Sequence, residues 1–508
     1  NGPGAANVLP GVAVENGEGN RVLVLTSWRR SPIVGPDRGG TYQYFDQVAV
    51  MRPMTKWSGV ARSYERIPEA VHRALRIAHE GRPGVVHLTV PEDVLNGSFD
   101  QALPVPAPER YRRTEPLAPS TKAVRRAAEM LVAAERPLLQ VGSGVVHAHA
   151  SESVAELARM LRAPITTSWG GRPAVDERLP NKIPMLPPLI DEVRCQADCV
   201  LALGTRFGET DWWGKPPYWG APGDQQMVQV DIDEEILGLN KAADLAVQAD
   251  AGRFLAALAS ELEATPPTGA RLRAHRDRTA ELVDAAAQVR AELDLALSSA
   301  DRPMHSAHVP TSCLRVFGDD AVYVFDGGNA AVWANFFTEI NRPDALLSTF
   351  KFGMLGAGVA QALGGQIARP GARVVCLIGD GAMGFHLQEL ETALRNHLPV
   401  TYVVLCDRQW GMVKLTQAVG LDDLRSAIGT DQTGTINADF EEIAFDEVAR
   451  AMGCHGERVA DPYELDAVLR RCIDSGLPSV VHVDVDPELH LFAPGLEAFK
   501  AMHQEPGA

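Results

Sequence analysis

"IGDGAMGFHLQELETALRNHLPVTYVVLCDRQW", Ile378 to Trp410, decides the fold. The short apolar run VVCLI that leads into it reads as a buried parallel strand, and it stops at Gly379-Asp380-Gly381. A helix-like run follows, expected to open near Ala382, and then a second strand-like run, VTYVVL, ending at Asp407. Strand, helix, strand is the unit of a parallel α/β sheet, whose ligands bind outside the carboxyl ends of the strands. If the two strands are neighbours, Asp380 and Asp407, 27 positions apart, converge on one spot. Two carboxylates there suit a magnesium ion, which takes oxygen ligands from one or two acids and from substrate phosphates. The free N–H groups of a helix start suit the phosphate, and the glycines let the backbone approach it. The other reading of these residues is that both acids cap helices.

The composition bounds what surrounds this unit. The chain has 508 residues, enough for about three domains, and its 45% hydrophobic and 22% charged residues are a globular mixture. A net charge of -17 argues against nucleic acid or an anionic membrane as a partner. No apolar run is long enough to span a bilayer. Seven scattered cysteines fit a reducing compartment, the cytoplasm, and not a disulfide framework. Cys195 and Cys199 read as buried thiols and not as metal ligands.

Three α/β blocks follow one another, which predicts an α/β protein of three doubly wound parallel-sheet domains. The first, residues 1–96, has two clear strands, RVLVLTS and GVVHLTV, around the helix PEAVHRALRIAHEG, and opens on a Gly-Pro-Gly loop. A Pro-rich linker covers 97–120. The second block spans 121–264, a charged helical linker 265–303, and the third block 304–508. "GRPGVVHLTVPED" (Gly81 to Asp93) echoes "GLPSVVHVDVDPE" (Gly476 to Glu488), which suggests that the outer blocks are related domains around a different middle one.

The full spacing of the opening stretch resembles the thiamin diphosphate motif, in which Gly-Asp-Gly, a helix and a strand lead to a second oxygen ligand, commonly asparagine. The resemblance is closest to the acetolactate synthase large-subunit family, whose relatives include 2-hydroxyacyl-CoA lyase and oxalyl-CoA decarboxylase. "CDRQWGMV" (Cys406 to Val413) lines up with that family's Asn-Asn-x-x-x-Gly-Met-Val. The resemblance implies a metal held by Asp380, Asp407 in place of the asparagine, and the Gln409 carbonyl. "FDGGNAAVW" (Phe325 to Trp333) resembles the stretch that meets the diphosphate, with Asn329 the contact. "FGMLGAGVAQALGG" (Phe352 to Gly365) resembles the loop that holds the aminopyrimidine. There the Gly353 carbonyl would accept from the 4'-amino group, and Leu355 would be the wedge that bends the cofactor; the plainer reading of Leu355 is a core leucine. Gly381, Ala382, Met383, Gly411 and Met412 complete the implied cofactor contacts, Met412 facing the reaction. In the first block, "NGPGAAN", with Gly2, matches the family's Ser-Gly-Pro-Gly loop, and Gln43 falls on its active-site glutamine with Tyr42 as aromatic neighbour.

By the same resemblance the outer blocks are the pyrimidine and diphosphate domains, and the protein is a homodimer or homotetramer with active sites at the subunit interface. The middle domain of relatives binds FAD, ADP or CoA, or nothing. Arg206 in "GTRF" stands where many members contact a nucleotide, but the FAD pattern Gly-Met-x-Gly-x-x-Gly is replaced by "IPMLPPLIDEV". The aromatic insertion "ETDWWGKPPYWG" either stacks on an adenine or acyl group or is a surface loop packed on itself. The expected activity is thiamin diphosphate- and Mg-dependent cleavage or formation of a C–C bond on a 2-oxo acid. In "GMVKLTQ", Leu415 and Thr416 replace the family's Gln-Trp, which shapes the acceptor pocket. One alternative is a lyase or decarboxylase acting on acyl-CoA, since "GAMGFHLQELET" resembles those enzymes. Another is a catalytically inactive paralogue with a structural or regulatory role. His386 either faces the substrate or is a polar residue near a helix start. The family's catalytic glutamate precedes the Gly-Pro-Gly loop, so a further segment of roughly 70 residues, with about three strands, is expected before Asn1.

Overall fold

Short β-branched runs pair in parallel throughout, as strands buried on both faces do. The computed structural model describes residues 1–100, 102–421, 435–496 and 501. Its strands form three sheets and its chain two compact units: Asn1–Ala118 with Ile232–Glu235, and Pro119–Asp231 with Ile236–Ala508.

In the first unit, β1 (Leu23–Trp28), β2 (Trp57–Val60) and β3 (Val86–Pro91) form a sheet ordered β1-β3-β2. β3 is buried along its length, whereas Leu25 of the edge strand β1 is 63% exposed. The sheet has a third strand, β2, beside the two clear ones of the sequence. The opening Gly-Pro-Gly is a correction: it lies in a helix, Gly2–Asn7, and not in a loop. Proline and glycine are tolerated in a first turn, and the Asn1 side chain accepts the Gly2 N–H at 3.2 Å.

The second unit holds two sheets. β4 (Pro137–Val141), β5 (Ile165–Thr167), β6 (Cys199–Leu203), β7 (Gln226–Asp231) and β8 (Leu245–Gln248) are ordered β5-β4-β6-β7-β8. β9 (Val322–Phe325), β10 (Leu346–Ser348), β11 (Val374–Gly379), β12 (Thr401–Cys406), β13 (His455–Val459) and β14 (Ser479–Asp484) are ordered β10-β9-β11-β12-β14-β13. Alternate residues feed two cores. Phe325, Leu377, Val403 and Val481 face one side, and Val324, Cys376, Val404 and Val480 the other. The chain leaves β9 for β10 on one flank and returns to β11 on the other, so the topological switch point lies between β9 and β11.

The aromatic insertion packs inward. Trp212 stacks on Tyr218 with ring centroids 3.5 Å apart, and Trp219 is buried beneath the Arg194 guanidinium. Of its two sequence readings, a surface loop packed on itself holds for the stacking but not for the exposure, since Trp212 and Trp219 are buried; of the two cysteines expected to be buried, Cys199 is and Cys195 is exposed. A buried polar latch joins the middle sheet to the last one. Arg172 donates through Nε and Nη2 to Glu177, through Nη1 to the Asn335 carbonyl at 2.7 Å, and through Nη2 to the Thr338 carbonyl at 2.6 Å. Glu177 also accepts the Ile340 N–H at 2.8 Å. Burial pushes Glu177 up, but the Arg172 guanidinium outweighs it and holds the carboxyl below its usual range. Removing one partner of such a pair strands the other charge. Arg172→Ala should therefore cost about 3 kcal/mol or more in urea unfolding, and Arg172→Lys, which lacks the planar fork, should recover little of it.

Candidate functional site

The site grows from one pairing. β11 runs beside β12 with Gly379 opposite Leu405, so the two chains leave the sheet together and deliver Asp380 and Asp407 side by side. Both are buried, at 3% and 6% exposure. Asp380 accepts the Gly381 N–H and, through its other oxygen, the Arg408 N–H, each at 2.7 Å. Asp407 accepts from the Gln409 side-chain amide at 2.9 Å. That amide also donates to the Pro487 carbonyl, and Gln409 Oε1 accepts from Lys414 at 2.7 Å. Burial raises Asp380 to about 6, and burial together with the Asp380 charge raises Asp407 to about 7. Two desolvated acids held together with only neutral donors are the ligand set of a hard cation.

Helix starts close the other side of this pair. The run after Asp380 is a correction: it is one turn, Asp380–Met383, and a separate helix Glu389–Arg395. Two longer helices, Asn329–Phe337 and Gly411–Gly420, begin against one another. A Cβ on Gly411 would lie 2.6 Å from Asn329 Nδ2, so only glycine fits there. Asn329 Oδ1 is buried without a hydrogen-bond partner among the described residues, an orphan of the kind a ligand completes. Converging N–H groups beside two unpaired acids suit an anion bridged to a cation. On these grounds the residues fit a metal-bound diphosphate.

The remaining candidates fall around this point or apart from it. Gly381 is glycine for a reason other than ligand approach, since a Cβ there would meet the Trp410 ring at 2.5 Å. Ala382 and Met383 are buried in the same turn. Met412 is half-buried and packs on the cluster that contains Trp333 and Phe336. Gly353 takes φ 69°, and its N–H reaches the Thr349 carbonyl at 2.6 Å. Leu355 packs on the core while its Cδ2 lies 3.0 Å from where a Cβ on Gly327 would be. His386 is half-buried, and its ring closes on the loop at Gly356. In the first unit Gly2 and Gln43 meet: a Cβ on Gly2 would lie 2.2 Å from the Gln43 carbonyl oxygen. Gln43 is exposed and holds φ 56°, a strained value for a residue other than glycine. Arg206 is exposed in the middle domain. Two residues escaped the sequence reading, Trp410 and Asp326. The available signal for Asp326 was an acid directly after the strand-like run VYVF.

Comparison with known proteins agrees with this geometry. Residues 326–483 match the C-terminal TPP-binding domain of thiamine pyrophosphate enzymes, and residues 124–258 match their central domain. The chain is 28% identical to the acetolactate synthase isozyme 1 large subunit of Escherichia coli, covering 96% of this chain and 82% of that one. It is 26% identical to a probable acetolactate synthase large subunit of Methanocaldococcus jannaschii, over 96% and 80%. It is 29% identical to the acetolactate synthase large subunit of Parasynechococcus marenigrum, over 95% and 75%.

The raised acids make a prediction for the metal-free chain. Between about pH 4 and about pH 7 the folded state holds more protons on this pair than the unfolded state does. Stability contributed by the protonated acids is therefore lost as pH rises through that window, by about 1.4 kcal/mol for each unit of displacement. Asp407→Asn should flatten the loss, seen as a smaller drop in urea midpoint from pH 5 to pH 8 in the presence of chelator. An unchanged slope would contradict the pairing of the two acids.

Proposed function

The chain belongs to the thiamine pyrophosphate enzymes, and from that premise we propose that it uses thiamin diphosphate, the same compound, with Mg2+ to cleave or form a C–C bond at the carbonyl of a 2-oxo acid. The observation that carries the reading is the pair of buried acids, hydrogen-bonded among the described residues to neutral donors, together with the paired helix starts at Asn329 and Gly411. When bound, the cofactor supplies a carbon nucleophile and an electron sink at the substrate carbonyl. The chain supplies position and charge. Asp380 and Asp407, with the Gln409 carbonyl, would hold the ion, and Asn329 with the N–H groups near Gly381, Ala382, Met383 and Gly411 would hold the diphosphate. The Gly353 carbonyl would orient the aminopyrimidine, and Leu355 would keep the cofactor bent. Met412 would line the reacting end, and by the family resemblance Gln43, held beside Gly2, would serve such a site in a second subunit. Closing such a site excludes water, which strengthens each of these contacts.

The aromatic insertion gives the acyl-CoA alternative little support, because Trp212 and Trp219, two of the three tryptophans that would meet the nucleotide, are buried. A homo-oligomer is part of this reading, on the strength of the family resemblance. The replacement of the acceptor-side Gln-Trp by Leu415 and Thr416 points to an acceptor pocket unlike that of acetolactate synthases.

Ligand substitution tests the metal assignment. Asp380→Ala should abolish joint binding of Mg2+ and thiamin diphosphate, losing more than the roughly 10–100-fold that an outer-shell partner costs. Asp407→Asn keeps an oxygen ligand and should stay within about tenfold of wild type, measured by calorimetry with both ligands. Loss of binding in Asp407→Asn with retention in Asp380→Ala would reverse the assignment. Turnover is to be followed as CO2 release from 2-oxo acids, against acyl-CoA esters as the comparison.

A further inference from the structure

Asp326 follows the last residue of β9 and is fully buried, with no basic side chain among its hydrogen-bond partners. Its Oδ1 accepts the N–H groups of Gly327 and, at 3.0 Å, Gly356; its Oδ2 accepts the Gly358 N–H at 3.0 Å. Gly356 is the N-cap of the twelve-residue helix Ala357–Ala368 and holds φ 82°, and it has no side chain with which to cap that helix. Asp326 does the capping from the neighbouring strand, and its charge lies at the favourable end of the helix. The fit is tight on both sides. A Cβ on Gly358 would lie 2.8 Å from Asp326 Oδ2, and one on Gly327 would lie 3.1 Å from the Gly353 carbonyl oxygen.

One carboxylate thus ties the turn that leads to Asn329 to the loop that carries Gly353 and Leu355, 30 residues away at Gly356. It does so at the switch point between β9 and β11, where the two ends of a bent ligand must be set apart by a fixed distance. The geometry points to Asp326 as a positioning residue that sets the Gly353–Leu355 loop against the diphosphate end of the site, so that the pyrimidine end of the cofactor is held at the correct reach. This assignment rests on the functional reading above. Asp326 acts through Gly356 and Gly358, whose N–H groups it accepts.

Asp326→Asn tests it. An amide keeps one acceptor oxygen, which stays with the two N–H groups of Gly327 and Gly356, and turns its NH2 toward the Gly358 N–H, donor against donor. The helix start and the loop before it shift, while the turn to Asn329 is kept. In the full chain, tryptophan fluorescence should show thiamin diphosphate binding weakened about tenfold or more, the factor expected for losing a hydrogen bond to a charged group. Binding of magnesium pyrophosphate, which lacks the pyrimidine, should stay within about twofold of wild type by the same scale. Gly358→Ala pushes on the same contact from the helix side and should show the same split, with the double variant less than additive. Equal loss of both ligands, or loss of neither, overturns the assignment, since a merely structural acid would not tell them apart. A wild-type chain that binds neither ligand overturns the functional reading as well and is recognised before any variant is compared.

Discussion

Two carboxylates pressed together out of water are the constraint from which the rest of this molecule follows. Like charges a few ångström apart repel by roughly 4 kcal/mol even at the effective dielectric of a protein surface. The pair cannot relax by moving apart. Asp380 and Asp407 are the first residues after two hydrogen-bonded strands whose side chains are buried on both faces, so shifting either acid means slipping β11 against β12. A slip of one residue would exchange the two cores. The sheet therefore imposes the repulsion, and the surroundings have to answer it.

Two of the cations near the pair are committed elsewhere. Lys414 is held by Gln409 and Asp439, and Arg458 by Asp484 and Glu442. What the acids receive from the described residues is backbone N–H groups and the Gln409 side-chain amide, none of them charged. Neutral donors lower the cost of a buried charge without cancelling it, which is why the acids sit near 6 and 7. A site of this kind gains from a cation taken from solution in a way that a site with its own lysine would not.

Much of this was legible in the sequence, for reasons that differ from residue to residue. β11 and β12 were visible as continuous apolar runs bounded by turn residues, and the parallel rule made them candidates to be neighbours. The glycine at 411 belonged to a spaced motif that chemistry constrains. Contacts between distant residues left no such trace. Gly381 looked like a glycine that makes room for a ligand, but the Trp410 ring fills that space. The helix expected after Gly-Asp-Gly ends after one turn at Gly384, which has low helix propensity, and the next starts only at Glu389. The Gly-Pro-Gly opening read as a loop because glycine and proline break helix interiors, while their tolerance in a first turn depends on a cap whose use only the fold reveals. The tryptophans of the insertion offered two partners equally well, since stacking carries no sequence period.

Four neighbouring strands carry an aspartate at their carboxyl ends, β14 as its last residue, Asp484, and β9, β11 and β12 as the residue that follows, Asp326, Asp380 and Asp407, and the donors given to each decide its task. Asp484 has its own arginine. Burial pushes it up, but His482 and the Arg458 guanidinium outweigh that and hold it well below the usual carboxylate range, so it is charged and spent. Asp326 has three backbone N–H groups on its two oxygens, and its lone pairs are committed to shaping the switch point. Asp380 and Asp407 have only neutral donors, backbone N–H groups and the Gln409 side-chain amide. A carboxylate offers about four lone-pair positions, so unspent capacity collects on the two middle acids of the row. The same residue type at or just past the end of a strand thus becomes ion-pair partner, helix cap or open ligand according to the donors that its neighbours aim at it. Metal binding is left to the two acids that the fold satisfies least.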